Sequence, residues 1–589
     1  MTSARKIATV AAVAATPFAW LFLASNIYCV GINRPDLFVP PFTQWLQVAP
    51  YWRVNWWTTL WVVVSAAAPT FFLAIVVWWL LSLRKGRANR PNRYGSTGWA
   101  SPADMRSGGL PPLEPGVSDN HGHAAFATTA QTAKRFSGPG CLIGAADRKV
   151  GSPLLFDNVN SGPGHSMVFA GPGSWKTSSA ITRLWQWNGP RVVFDPSCEI
   201  GPIMTEALQA SGCKVVAIGL TGQGINALDW IDTEHPEADA HIRSAVDWIY
   251  NEGAATREGG AQGKDPFWST WGRALVTCLL AHMLYHRTPE VPKTLAALRQ
   301  GIAMPESDMP TLLAGINRTS FSRMARDLAG GLMNMRAAET FSGIYANSFA
   351  ATEWLSVGAY ADVVSGDAMR TADILNSNTV VFVQLPLRTL LATPAVGRAV
   401  MGAFFNAMFH ADGEGVADRI LFELDEAWIL GRLKEIMLCH TTARKYRGCV
   451  QTLWQSEAQL EDTWGREGAK TMRDTVSWRS YNAVQDGDVA ERLSRDLGEH
   501  GVMAWSEGTN SGNQRNPMAW MGSKSTGNNA SQHEIRRRLI KADEIMRAPA
   551  DDMFVLARDF GHPIRCCSAP YFRYPGIAGK MNISRFAAE

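Results

Sequence analysis

Two long uncharged stretches open the chain, and short apolar runs divided by turn residues and helical patterns fill the rest. Residues 7–31 and 60–83 lack charge, and each can cross a hydrocarbon core of about 30 Å, so two membrane-spanning helices are predicted. Arg5 and Lys6 precede the first. Arg84, Lys85, Arg87, Arg90 and Arg93 follow the second, and the loop between carries only Arg34 and Arg53. That bias puts both termini on the cytoplasmic side of the membrane. A cleaved signal peptide is the other reading of the first stretch, but the run is long and lacks a clean A-x-A site.

Beyond a polar linker at 86–100, a compact domain is expected from Tyr94. The runs Met167–Ala170, Arg191–Asp195, Lys214–Ile218, Thr379–Leu385, Ile420–Asp425, Arg447–Leu453 and Met553–Leu556 read as buried parallel strands alternating with helices. This is an α/β pattern, which implies a three-layer sheet domain with ligands at the carboxyl ends of the strands. The gap between Lys176 and Asp425 is too long for a few βαβ units of about 30 residues each. Residues 235–365 show helical patterns at Asp239–Tyr250, Phe267–His286 and Met324–Leu355 with few strands, so an all-α insert is predicted there. The expected division is an anchor at 1–93, a sheet domain at 94–234 and 366–589, and the insert at 235–365. Residues 505–533, rich in Gly, Asn and Ser and without a period, read as a long mobile loop.

Composition changes this picture little. With 56 basic and 52 acidic residues the formal charge is +4, which neither demands nor excludes nucleic acid. Nine cysteines without a CxxC pair fit reduced cytosolic thiols. Of 23 tryptophans several, including Trp20, Trp56, Trp57, Trp61, Trp78 and Trp79, flank the apolar stretches as interfacial belts do.

The chemistry lies in two segments. Ala170-Gly171-Pro172-Gly173-Ser174-Trp175-Lys176-Thr177 follows one apolar run and opens a helical pattern, the form of a phosphate-cradling loop. In such a loop Gly171, Gly173 and Ser174 offer backbone N–H groups, Lys176 a point charge, and Thr177 a hydroxyl for Mg²⁺. The strict pattern fails twice, because Ala170 and Trp175 stand where glycines are expected. A Cβ at the second of these positions conflicts with positive φ or close phosphate approach. Downstream, Ile420-Leu421-Phe422-Glu423-Leu424-Asp425-Glu426 reads as a strand ending in two carboxylates. Asp425 would hold Mg²⁺ through water and Glu426 would polarise an attacking water, the second half of a P-loop NTPase site for ATP. Glu423 within that strand has no reason in the sequence. Gln451, read as the end of another strand, stands where a γ-phosphate sensor would.

These residues together resemble the type IV secretion coupling proteins of the TraG/TraD family. The segments that carry the likeness are GSTGWAS (Gly95 to Ser101), GHSMVFAGPGSWKTSS, RVVFDPSCEI, DPFWSTWGRALV (Asp265 to Val276), LDEAWILGRL (Leu424 to Leu433) and GCVQTLWQSEAQLEDTWG. The resemblance implies a RecA-like P-loop NTPase domain with an inserted all-α domain behind two transmembrane helices. It further implies a homohexamer with a central channel, in which Arg432 or Arg398 would complete a neighbour's site. The partners it implies are type IV secretion channel components, relaxase or effector proteins, and single-stranded DNA gripped without sequence specificity. The helical insert would be the docking surface.

Two other functions stay open. A chromosomal DNA translocase expects more spans and a C-terminal DNA-reading module, and neither is visible after residue 545. A membrane cargo receptor whose nucleotide site has decayed through Trp175 would bind without hydrolysis. Among weaker signals, His282 and His286 stand at i, i+4 as zinc ligands can, but no third ligand is near in sequence. Arg536-Arg537-Arg538 reads as a solvated basic run, with phosphate contact as its other reading. Cys439-His440 lacks partners for a thiol enzyme or metal site.

Overall fold

The computed structural model describes residues 20–31, 33, 55–71, 97–101, 104–105, 112–113, 140–158, 164–250, 266–514 and 523–583, apart from a few positions inside these ranges. In chain order the strands are β1 (Pro112–Leu113), β2 (Gly140–Ala145), β3 (Leu154–Asn158), β4 (Ser166–Ala170), β5 (Arg191–Phe194), β6 (Lys214–Gly219) and β7 (Thr379–Gln384). They continue as β8 (Ile420–Leu424), β9 (Gly448–Trp454), β10 (Trp478–Asn482), β11 (Glu499–Gln514), β12 (Ser523–Arg538), β13 (Asp552–Ala557) and β14 (Ile564–Cys567).

Twelve of these strands form one sheet in the order β1-β3-β2-β14-β13-β10-β4-β9-β8-β5-β7-β6. From β10 to β6 every neighbouring pair is parallel. From β13 outward the pairs are antiparallel. The Met553–Leu556 run therefore forms a strand as expected, but an antiparallel one, because β10 and β14 flank it on both sides. The strand β10 was not expected at all. Arg479, Ser480 and Asn482 interrupt its apolar residues, yet Ser480 is fully buried and the strand pairs with β4 along its length.

Side chains alternate across the parallel strands, and both faces are apolar. Met167, Phe169, Val192, Phe194, Phe422 and Leu424 face one core. Val168, Val193, Phe382, Leu421 and Leu453 face the other, with Ile181 and Leu184 of the helix Lys176–Gln186 and Ile203 and Met204 of the helix Ile200–Ala210. A sheet buried on two sides explains why these strands read as near-continuous apolar runs. Between β6 and β7 the chain is helical, with Ala238–Tyr250, Pro266–Leu284, Leu295–Ile302, Met309–Thr319, Arg323–Met333, Ala338–Thr352 and Gly358–Ser365. The single pattern expected over Met324–Leu355 is thus two helices.

A second compact unit holds residues 1–95 and 501–535. Within it, residues 20–31 and 56–71 are helical, and Trp20 Nε1 donates to Thr70 Oγ1 at 3.0 Å. Among the described residues no helix is long and apolar enough to cross a membrane. The predicted spans reach beyond these helices to 7–19 and 72–83, which lie outside the described residues. The expected loop at 505–533 is instead largely strand, since β11 and β12 form a two-stranded sheet of their own. Its residues are polar and backbone pairing does not require an apolar period, so hydrophobic alternation carried no signal.

The helix Pro394–His410 packs its Gly402 against Trp248, whose indole Nε1 donates to Glu435 Oε1 at 2.8 Å. A Cβ at Gly402 would fall 2.4 Å from the buried Trp248 ring. Helix propensity favours Gly402→Ala by about 1 kcal/mol, whereas overpacking costs about 1–3 kcal/mol. Packing wins because Trp248 is pinned. Gly402→Ala is expected to lower the urea midpoint followed by circular dichroism, and a raised midpoint would show the ring free to move.

Candidate nucleotide-binding site

The loop Gly171–Trp175 joins the carboxyl end of β4 to the N-terminus of the helix Lys176–Gln186. It is anchored from beneath. Gly171 N donates to Asn482 O at 3.4 Å, Ser174 Oγ donates to Gly171 O at 2.6 Å, and Ser568 Oγ donates to Ser174 O at 2.8 Å. Asn482 Nδ2 in turn donates to Ser568 Oγ at 3.1 Å, so the ends of β10 and β14 hold the loop's shape. Gly173 has φ of 77°, and open space surrounds the place where its Cβ would be.

Trp175 occupies the left-handed region at φ 62° and ψ 31°. The position therefore does require glycine-like geometry, as its departure from the pattern suggested. A non-glycine residue there costs about 1–2 kcal/mol. Its indole is 45% exposed and meets Phe572 edge to face at 5.0 Å between centroids, directed at a protein ring rather than closing the loop. A cavity of about 300 Å³ remains, lined by residues 170–178 with Glu426 and Gln455.

Sheet order sets the second half of the site. The strand β9 lies between β4 and β8, and Lys176 reaches past its tip to the carboxylates that end β8. Lys176 Nζ is 3.1 Å from Asp425 Oδ1 and 2.5 Å from Glu426 Oε1. Glu426 also accepts from Gln455 Nε2 at 3.1 Å and from Trp428 Nε1 at 2.9 Å. Like Trp175, it has a left-handed backbone, at φ 53° and ψ 51°. Such strain gathers where surrounding structure over-determines a functional geometry.

The charges are coupled. Burial tends to lower the Lys176 ammonium, but the Asp425 and Glu426 charges outweigh it and hold it above the usual lysine value. Burial pushes the Asp425 carboxyl up against the pull of Lys176, and the Glu426 charge adds to the rise. Burial also acts on Glu426, yet Lys176, Gln455 and Trp428 together keep it below the usual glutamate value.

Of the expected site residues, Gly171, Gly173, Ser174, Lys176, Thr177, Asp425 and Glu426 come together here. Gln451 does not. It lies in the middle of β9, paired in register with Ser166 and Glu423, fully buried and away from the cavity. The strand runs to Trp454, one residue past the expected end at Leu453, and Gln455 just beyond it is the glutamine that reaches the cavity. Glu423 now has a reason, since its Oε1 accepts from Arg183 Nε at 3.3 Å, tying the helix after the loop to the strand that carries Asp425. Burial drives Glu423 up to about 7 against the Arg183 charge, with Asp425 adding to the rise. Arg398 is buried and its Nε donates to Trp248 O, so it does not face a neighbouring subunit. Arg432 Nε donates to Thr463 O at 2.8 Å and is only partly buried.

The donors fit a magnesium nucleotide. Asp425 Oδ1 is buried and receives no hydrogen bond of good geometry among the described residues, although Lys176 stands beside it, and an orphan acceptor of this kind suits a metal-bound water. The loop offers backbone N–H groups around an open Gly173, and the helix N-terminus adds its dipole.

An α/β fold with one large, mainly parallel sheet and a loop-plus-carboxylate site at its strand ends defines the class. The solved bacterial conjugative coupling protein TrwB shares the fold. The TrwBdeltaN70 form in complex with sulphate aligns at a TM-score of 0.52 and 16% identity, over 83% of this chain and 96% of that one. TrwB in complex with ADP and Mg²⁺ aligns at 0.50 and 15%, over 73% and 89%. The family model for type IV secretory system conjugative DNA transfer matches residues 127–588, and the chain belongs to that family. It is 32% identical over 442 residues to the conjugal transfer protein TraG of Rhizobium radiobacter, covering 74% of this chain and 66% of the relative. It is also 32% identical over 445 residues to the type IV secretion system-coupling protein VirD4 of Bartonella quintana, covering 74% and 67%.

Trp175 gives a direct test of the loop. Glycine takes positive φ freely while β-branched valine resists it. Trp175→Gly is expected to hold ATP within about threefold of wild type, and Trp175→Val to weaken it about tenfold or more, the equivalent of about 1.4 kcal/mol. Equal affinity of all three in a fluorescent-nucleotide titration would show that the loop does not contact the ligand.

Proposed function

We propose that the chain is an inner-membrane coupling ATPase that recruits relaxase-bound single-stranded DNA or effector proteins and delivers them to a type IV secretion channel. The observation that carries this reading is the meeting of Lys176, Asp425 and Glu426 at one cavity, in a member of the conjugative DNA transfer family. The names of the TraG and VirD4 relatives support the transfer role. The uncharged stretches at 7–31 and 60–83 and the basic residues outside them support a membrane anchor with both termini cytoplasmic.

In this reading Gly171, Gly173, Ser174 and Lys176 cradle the phosphates, and Thr177 and Asp425 hold Mg²⁺. Bound magnesium ATP supplies the phosphoryl group that water attacks. Glu426, fixed by Trp428 and Gln455, accepts a hydrogen bond from that water and aligns it. Lys176 must leave the carboxylates for the phosphates, which frees Glu426 for the water. The chain would act as a homohexamer whose subunit interfaces pass the chemistry to loops gripping DNA phosphates electrostatically. The helical residues 235–365 would form the cargo-docking domain, between the two parts of the nucleotide-binding domain.

Trp175 is the observation behind the rival, a cargo receptor that does not hydrolyse. Steady-state ATP turnover and mating-transfer frequency, measured for wild type, Lys176→Ala and Glu426→Gln, separate the two. The ATPase reading expects Lys176→Ala to lose nucleotide binding and transfer. It expects Glu426→Gln to bind ATP but turn over about 10²- to 10⁴-fold more slowly. Undetectable turnover in wild type favours the receptor, and Lys176→Ala with unchanged turnover and transfer removes the motor.

A further inference from the structure

His235 and His241 lie six residues apart, and the remote His410 joins them in space. Each offers a ring nitrogen, and these atoms lie within 4.8 Å of one another. Ring centroids are 5.3 Å apart for His235 and His241, 5.1 Å for His235 and His410, and 5.7 Å for His241 and His410. Among the described residues none of the three imidazoles hydrogen bonds another; His235 and His241 stack, and His410 meets both edge to face. His241 Nδ1 is buried and without a hydrogen-bond partner.

We infer that His235, His241 and His410 form a zinc site that staples the helix Ala238–Tyr250 to the helix Pro394–His410. Three imidazoles and a fourth position open to water, or to Glu237, match the ligand set that zinc takes. Glu237 Oε2 is 3.9 Å from His241 Nε2. Tetrahedral zinc at about 2.0–2.1 Å from each nitrogen sets them about 3.3 Å apart, so the rings close by a modest rotation. His235 lies in the turn before its helix, His241 is in that helix's first turn and partly buried, and His410 ends its helix on the exposed side. A cation at the last residue of Pro394–His410 also meets the negative end of that helix's dipole.

The present bonds yield readily to a metal. His235 Nδ1 accepts from Glu237 N at 3.1 Å, and ligation at either ring nitrogen gives up that one bond. Burial first, and then the neighbouring His410 and His235, lower the His241 pKa and keep its ring in the neutral form that ligates. The helix pair to be stapled joins the first helix after β6 to the sheet domain's own helix after β7. Zinc there would fix the base of the helical segment.

His282 and His286, the pair that sequence spacing suggested, do not form such a site. His282 Nδ1 lies 3.0 Å from Ser320 Oγ, their rings are 6.0 Å apart, and no third ligand joins them among the described residues.

The test is a zinc titration of the full chain in detergent, stripped with chelator and read by competition with a chromophoric chelator. Wild type, His410→Ala and His241→Gln are compared. Wild type is expected to bind one equivalent, and either variant to bind it at least about 100-fold more weakly. Cobalt in wild type adds a readout that needs no variant to fold, with visible tetrahedral bands and no thiolate charge-transfer band in the near ultraviolet. Equal zinc affinity in all three chains, no stoichiometric zinc in wild type, or a thiolate band from cobalt would each overturn the site.

Discussion

Lys176 is bonded to two carboxylates that it must also be able to leave. Its ammonium meets Asp425 at 3.1 Å and Glu426 at 2.5 Å across the tip of β9, and this contact joins the loop after β4 to the end of β8. Three charged groups with little solvent are stable together because the cation neutralises part of the acidic pair. Their preferences are also linked, so a proton or cation taken up by one shifts the others. A triphosphate arriving in the cradle competes for the same ammonium. In the proposed reading, that competition is what would release Glu426.

The rest of the domain keeps this contact in register. Asn482 and Ser568 hold the loop from the ends of β10 and β14. Arg183 and Glu423 tie the first helix to β8 one turn of strand below Asp425. Left-handed backbones at Trp175 and Glu426, two of the seven non-glycine residues with positive φ among the described residues, put one such position in each half of the site. Stability elsewhere, in the two apolar faces of the parallel sheet, offsets that strain.

What could be read from sequence followed the strength of the apolar pattern. The parallel strands buried on both faces, β4 to β9, were visible as runs such as Arg191–Val192–Val193–Phe194, and the loop and the carboxylate pair were visible by type and spacing. The strand β10 was hidden because Arg479, Ser480 and Asn482 look like turn residues, although pairing with β4 and β13 holds all three in the sheet and buries Ser480 and Asn482. Gln455 was missed because it lies just past the strand, and Gln451 was taken as a strand end although the expected run Arg447–Leu453 already placed it inside. Phe572 and Ser568 reach the loop through tertiary contacts that no local pattern encodes. The histidine cluster was beyond reach for the same reason, since His410 meets His235 only when β7 returns beside β6.

The coupling of magnesium to nucleotide tests the central contact most directly. ATP affinity would be measured with and without Mg²⁺ for wild type and Asp425→Asn. Mg²⁺ is expected to tighten ATP in wild type by tenfold or more, about 1.4 kcal/mol, and to lose most of that effect in Asp425→Asn. The same magnesium dependence in both chains would contradict a site in which Asp425 and Lys176 share one ligand.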